Sequence, residues 1–200
     1  MFKPIIKAVA VSTVAAFFCV GCGGETSDDD DDSYTYNGGV IPAGNQRWMD
    51  KNLDRATANS KCFGNSADNC AKYGRLYNWN DAKNACPSGW HLPSDVEWTT
   101  LTEVVGGDST AGKKLKSKNG WANNGADNGG GTDTLGFAAL PGGYGGSDRT
   151  FSSAGYDGIW WSATESNTTA FIRRMYNNND VVKKDREEKT NLFSVRCVED

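Results

Sequence analysis

The chain reads as an α+β protein whose helices are segregated from its sheet. Three observations carry that reading. Ser94-Asp95-Val96-Glu97 is a helix-capping box, followed by Trp98, Leu101, Val104 and Val105 on one helical face. Four short segments rich in apolar and β-branched residues then follow between positions 159 and 198. Between these halves, the region 121–135 is dense in Gly, Asn and Asp and has no period of its own, so it is a long loop. Helices first and strands afterwards is the order of an α+β domain.

Taken in order, residues 34–53 read as a strand pair, with Asn37-Gly38-Gly39 as the turn signal and Gln46-Arg47-Trp48-Met49 as a short strand. Residues 57–71 read as an irregular loop. A first helix is predicted over 76–85, where Leu76, Trp79, Ala82 and Lys83 fall at helical spacing and Cys86-Pro87 ends it. Ser88-Gly89 is a turn, and Trp90-His91-Leu92 is extended before Pro93. The helix opened by Ser94 stops at Gly106-Gly107, where positive φ costs little, and a shorter helix covers 111–117. A short strand over 136–140 leads into the turn Pro141-Gly142-Gly143. Strands follow over 159–163, 170–176, 181–184 and 193–198, with residues 177–180 as a hairpin turn. In the last strand Phe193, Val195 and Cys197 alternate onto one face, toward the core.

The N-terminal region has a different character. Lys3 and Lys7 precede an apolar run of about 13 residues, shorter than the roughly 20 a membrane-spanning helix needs. That combination is a secretory signal. It ends Cys19-Val20-Gly21-Cys22, with a small residue directly before a cysteine, as a lipoprotein-processing peptidase requires; Cys19 stands where Leu is usual. Residues 1–21 are thus expected to be a lipoprotein signal peptide and Cys22 the lipidated residue, since two lipid chains suffice for stable anchoring. Residues 22–33, with the unbroken run Asp28 to Asp32, are expected to be an acidic, disordered tether. Gly23, in place of the Asp that retains lipoproteins at the inner membrane in the Gram-negative scheme, favours the outer membrane and cell surface.

Residues 34–200 have the length of one ordinary domain. The whole chain carries a net charge of −4 and one histidine, which argues against nucleic acid as a partner. Cys62, Cys70, Cys86 and Cys197 are an even set in an exported domain and imply disulfides. Of three possible pairings, Cys62–Cys70 with Cys86–Cys197 is favoured: the first staples a local loop and the second ties the middle of the domain to its last strand. A zinc site would need closely spaced cysteine pairs, which are absent.

The strings Tyr73-Gly74-Arg75-Leu76-Tyr77-Asn78-Trp79 and Cys86-Pro87-Ser88-Gly89-Trp90-His91-Leu92-Pro93-Ser94-Asp95 closely resemble the Fibrobacter succinogenes major paralogous domain family. So do Gln46-Arg47-Trp48-Met49, Gly136-Phe137-Ala138-Ala139-Leu140-Pro141-Gly142-Gly143, Gly158-Ile159-Trp160-Trp161-Ser162 and Ser194-Val195-Arg196-Cys197-Val198. The family consists largely of exported proteins and lipoproteins, and the resemblance names no activity. The layout is also similar to C-type lectin-like domains, especially the formylglycine-generating-enzyme branch. This implies two main helices packed on a small antiparallel sheet with long loops; it is a likeness of fold and does not fix function.

Catalysis finds little footing. His91 is the one histidine, and its place between Trp90 and Leu92 suits packing. There is no Gly-x-Ser-x-Gly elbow, and the glycines at 142–146 lack a P-loop ending. Glu97, Glu103 and Glu165 are not placed by any motif as a glycosidase pair. Formylglycine-generating activity needs a metal-binding cysteine pair, whereas every domain cysteine here has a disulfide partner to hand. Trp79-Asn80-Asp81 looks like the calcium motif of sugar-binding lectins but lies early, on a helix, without its partner tripeptide. Asp127, Asn128 and Asp133 match no calcium loop and read as solvated turns. No catalytic residue, metal or cofactor is expected.

Binding is the favoured function. On a lectin-like fold the loops carried by the sheet would present Trp121, Tyr144, Arg149, Tyr156 and Trp160, whose flat rings stack on sugars and whose guanidinium bonds hydroxyls. Trp160 and Trp161 point to opposite faces of a strand, so Trp161 is assigned to the core and Trp160 to a semi-exposed position. The partners expected are the membrane, through lipid on Cys22, and an extracellular polysaccharide or surface protein. The alternatives are a structural component of the cell envelope and an enzyme on the same scaffold.

Overall fold

The computed structural model describes residues 34–125, 129–148 and 150–200. The expected signal peptide, tether and Cys22, together with Asp127, Asn128 and Arg149, lie outside the described residues. Among the described residues no helix is long and apolar enough to cross a membrane.

Strands β1 (Val40–Ala43) and β2 (Gln46–Met49) form the predicted N-terminal hairpin. Its turn is Gly44-Asn45, with Gly44 at φ 62°, rather than Asn37-Gly38-Gly39. Gly38 and Gly39 serve a close approach instead: a Cβ on Gly39 would lie 2.6 Å from the Asp50 carboxylate, and Asp50 donates its N–H to the Gly39 carbonyl.

The chain then enters a 3-10 turn (Phe63–Asn65) and α1 (Ala67–Tyr73), where the sequence suggested only irregular loop. Residues 76–85 split as well, into β3 (Leu76–Tyr77) and α2 (Trp79–Ala85). Asn78 sets that boundary by accepting the Asp81 N–H as an N-cap, a role Asn strongly favours. After β4 (Trp90–His91) comes α3 (Asp95–Val104), opened by the full Ser94–Glu97 capping box. Trp98, Leu101 and Val105 are buried as predicted, whereas Val104 is 45% exposed. Helix α4 (Asp108–Leu115) follows. Residues 136–140 are not a strand: Gly136 and Ala138 have positive φ, which breaks extension, and only Ala139 makes a bridge, to Lys116.

Strands β5 (Tyr144–Gly145) and β6 (Phe151–Ser152) pair with each other. They precede β7 (Asp157–Ser166), β8 (Thr169–Tyr176) and β9 (Val182–Glu188), which form an antiparallel meander. The expected last strand divides into β10 (Phe193–Ser194) and β11 (Val198–Glu199) because the chain crosses there between two sheets. One sheet runs β3-β10-β7-β8-β9, with β10 parallel to β7; the other runs β1-β2-β11-β4. The crossing explains why residues 192–198 are buried throughout instead of alternating. The fold is α+β; the described residues include four α-helices, α1 being one the sequence did not suggest, and one parallel strand pair in the larger sheet.

Helices and loops cover both faces of β7, and this decides the fate of its two tryptophans. Trp160 packs with Trp48, Trp98, Leu101 and Phe137, while Trp161 packs on the other face with Tyr77, Ile172 and Phe193. Both are fully buried. Their indole N–H groups donate to Asn52 Oδ1 and to the Tyr77 carbonyl, so neither is left unsatisfied. Gly158 is required beside them, because a Cβ there would meet the Trp160 ring at 2.3 Å.

Two buried cations hold the loops without carboxylate partners among the described residues. Lys116 Nζ donates to the carbonyls of Gly129, Tyr176 and Asn179 and lies 5.2 Å from the centre of the Trp121 ring. Arg196 donates to Asn52 Oδ1 and to the carbonyls of Met49 and Phe137. The disulfides pair as the sequence suggested: Cys62–Cys70 with Cα atoms 4.9 Å apart and Cys86–Cys197 at 6.0 Å.

Candidate functional site

Three segments distant in sequence meet beside β5 and β6. The first, residues 59–65, is fastened from several sides. Asp81, in the first turn of α2, accepts from Thr57 Oγ1, from the Asn59 N–H and from Asn59 Nδ2. Burial raises the Asp81 pKa, but these hydrogen bonds outweigh it and leave the carboxyl below its usual value. Arg75 donates to Ser60 Oγ and to the Ser60 carbonyl and sits 3.6–3.8 Å from both sulfurs of Cys62–Cys70. Lys61 exchanges two backbone hydrogen bonds with Leu76 of β3.

The second segment is the turn between β5 and β6. Gly146 donates to the Thr150 carbonyl, and Asp148 accepts from the Thr150 N–H and hydroxyl, so its carboxylate is turned into its own loop. The third is the approach to β10, locked by two backbone hydrogen bonds between Gly145 and Leu192. Phe63 and Phe151 close the join with ring centroids 5.5 Å apart.

Between these segments lies an open groove of about 410 Å³. Asn59, Lys61 and Asn65 form one wall; Gly146, Ser147 and Phe151 form the other; Thr190 and Leu192 close it. The side chains of Lys61, Asn65, Ser147 and Thr190 have no hydrogen-bonding or ionic partner among the described residues. Elsewhere in the fold comparable groups are tied down, as Asn52, Asp81 and Lys116 are. A half-buried aromatic face beside several uncommitted donors and acceptors is the surface a polyhydroxylated ligand needs.

Of the five aromatic and basic residues read from the sequence, the four described ones, Trp121, Tyr144, Tyr156 and Trp160, do not converge. Trp121 is 6% exposed and donates to the Ala139 carbonyl, and Trp160 is fully buried, so both belong to the core and are corrected from ligand contacts to packing. Tyr144, half-buried on β5, packs against Phe193 and does not line the groove. Tyr156 is 56% exposed but is not part of the lining either. The residues that do line it are each ordinary residues that no sequence motif marks. The one available signal was the density of Asn, Ser and Lys around Cys62, together with the glycine-rich run around Tyr144.

His91 does more than pack. Its Nε2 lies 2.8 Å from Glu97 Oε1 and its Nδ1 2.7 Å from Asp200 Oδ1, so the doubly protonated ring can donate to both carboxylates. Burial works against the charged ring, but the two carboxylates prevail and the His91 pKa is raised above 6.5. Burial also opposes charge on Glu97, and hydrogen bonds from Ser94 and His91 prevail to lower its pKa below 4.5. The His91 contribution to stability is complete below about pH 6.5 and fades as pH rises through its raised value. That of Glu97 is complete above about pH 4.5 and fades as pH falls through its lowered value. His91→Gln is therefore expected to cost at most about 1 kcal/mol in urea unfolding at pH 5.5, since the side chain is partly exposed, and less at pH 8.5. A deficit that grows with pH would contradict this clasp.

Other candidate chemistry is committed elsewhere. Glu97 serves the capping box, Glu165 pairs with Lys189, and Asp81 of the Trp79-Asn80-Asp81 string fastens the groove wall. Asp133 accepts from the Ala138 N–H. Among the described residues there is no group of three or more His, Cys, Asp and Glu placed to hold a metal.

No curated protein and no solved structure matches this chain. The model of the Fibrobacter succinogenes major domain family matches residues 41–199, and the chain belongs to that family.

Proposed function

We propose that this chain is an exported lipoprotein, anchored through lipid on Cys22 at the outer membrane and cell surface, whose lectin-like domain binds extracellular polysaccharide without catalysis. The groove carries this reading: Phe151 offers a ring face, and Asn65, Ser147, Thr190 and Lys61 offer uncommitted polar groups around it. Its walls are set before any ligand arrives by Asp81, Arg75 and the Cys62–Cys70 disulfide, so little ordering opposes binding. The lectin-like description draws support from the chain ends, since the N-terminal hairpin pairs with C-terminal β11 and Cys86 ties α2 to the segment before β11. The anchor rests on residues 3–22, and the acidic spacer after them would hold the domain clear of the lipid.

One fractionation experiment tests both halves. Membranes from cells making the full chain are incubated with a panel of insoluble polysaccharides. Wild-type membranes are expected to bind at least one polymer. Cys22→Ser should remove the protein from the membrane fraction. Phe151→Ala should leave it there and weaken binding about tenfold, a reasonable loss for one aromatic contact. Persistence of Cys22→Ser in membranes would overturn the anchor. Failure to bind any polymer, with a protein recovered by cross-linking on intact cells, would favour a surface-protein partner or an envelope scaffold instead.

A further inference from the structure

We infer that the polysaccharide held in this groove is acidic, and that Lys61 holds a sugar carboxylate; this rests on the polysaccharide reading above. The whole chain has a net charge of −4, yet the described residues lining the groove include one lysine and no carboxylate. Two carboxylates attached to its walls are already occupied. Asp148 is folded onto Thr150, and Asp81 is saturated by Thr57 and Asn59 behind the wall.

Lys61 is therefore a positive charge facing the groove without a neutralising neighbour among the described residues. Lys183, Lys184 and Lys189 differ, for they pair with Asp185, Asp95 and Glu165. The Lys61 backbone is pinned on both sides to Leu76, which fixes where the side chain starts and leaves only the stem to adjust. An ammonium with three free donors is matched by a carboxylate, and charge-assisted hydrogen bonds are stronger than neutral ones. In a uronic acid the carboxylate projects from the ring edge while the ring face stays apolar. Stacking on Phe151 and a contact to Lys61 are then compatible within one residue of the polymer, leaving Asn65, Ser147 and Thr190 for its hydroxyls.

The test uses the detergent-solubilised full chain in calcium-free buffer. Oligomers of alginate, polygalacturonate and a glucuronate-bearing polymer are each compared with their carboxyl-reduced forms, which keep the ring and lose the charge. At least one acidic oligomer is expected to bind about fivefold tighter than its reduced form, a gain in keeping with a solvent-exposed ion pair. That advantage should shrink in 0.5 M salt, vanish in Lys61→Gln and largely return in Lys61→Arg. Equal binding of acidic and reduced forms, or an advantage that survives Lys61→Gln, overturns the inference while leaving the polysaccharide reading intact. Absence of binding to both forms and to every neutral polysaccharide overturns both.

Discussion

Loss of the Cys86–Cys197 disulfide is expected to lower the melting temperature by roughly 10–15 °C. The crosslink spans 111 residues, and in the chain-entropy model a loop of that size constrains the unfolded state by about 4–5 kcal/mol. That is a large share of the roughly 5–15 kcal/mol by which domains are stable. The bond also does structural work, because Cys86 ends α2 and Cys197 lies between the two sheets, where its carbonyl accepts the Met49 N–H. The double variant Cys86→Ala with Cys197→Ala avoids stray thiols. Its comparison is Cys62→Ala with Cys70→Ala, which opens a separation of only 8 and should cost about 2.5 kcal/mol by the same model. Calorimetry that ranks the two losses equally would contradict an account based on loop length.

Arg196→Met is expected to cost about 3 kcal/mol, read as a lower urea midpoint with an unchanged slope. The guanidinium is fully buried, and its pKa is pushed down to about 10 by burial, so it remains charged at neutral pH. It has no carboxylate partner among its hydrogen bonds. Instead it lies 4.3 Å from the centre of the Phe137 ring and donates to three oxygens, two on residues 49–52 and one on Phe137. One of these, Asn52 Oδ1, also accepts from Trp160, while Asn52 Nδ2 donates to the Tyr73 carbonyl. Methionine fills similar space but strands the Met49 and Phe137 carbonyls without a donor, and an unpaired buried group costs about 1–3 kcal/mol. Lysine keeps the charge but loses the planar fork, so Arg196→Lys should recover only part of the stability. A loss below 1 kcal/mol for the methionine variant would mean that water or rearrangement satisfies those carbonyls.

The parts of this molecule that were legible in the sequence are those governed by neighbours along the chain. The Ser94–Glu97 box, the β8–β9 hairpin and the helix stop at Gly106-Gly107 each depend on a few consecutive residues, and each formed where expected. The boundary at Asn78 was missed because Leu76, Trp79 and Ala82 keep helical spacing across it, and only the capping chemistry of Asn78 marks the break. Trp160 was placed near solvent because a strand usually has one covered face; here α3 with its loops covers one side and α2 the other. The groove leaves only a compositional trace in the sequence, around Cys62 and Tyr144. Asn65, Ser147 and Thr190 lie far apart in the chain and share one groove where Gly145 pairs with Leu192, and no local period records that meeting.

This groove is the proposed seat of the domain's ligand. Hydrogen–deuterium exchange on the full chain, with and without a saturating oligosaccharide taken from the polymer that binds best, tests it most directly. Slower exchange is expected in peptides covering residues 59–65, 146–151 and 189–192, with little change around Tyr156 or Trp121. Protection confined to the face bearing Tyr156, with the groove peptides exchanging as in the free protein, would contradict it.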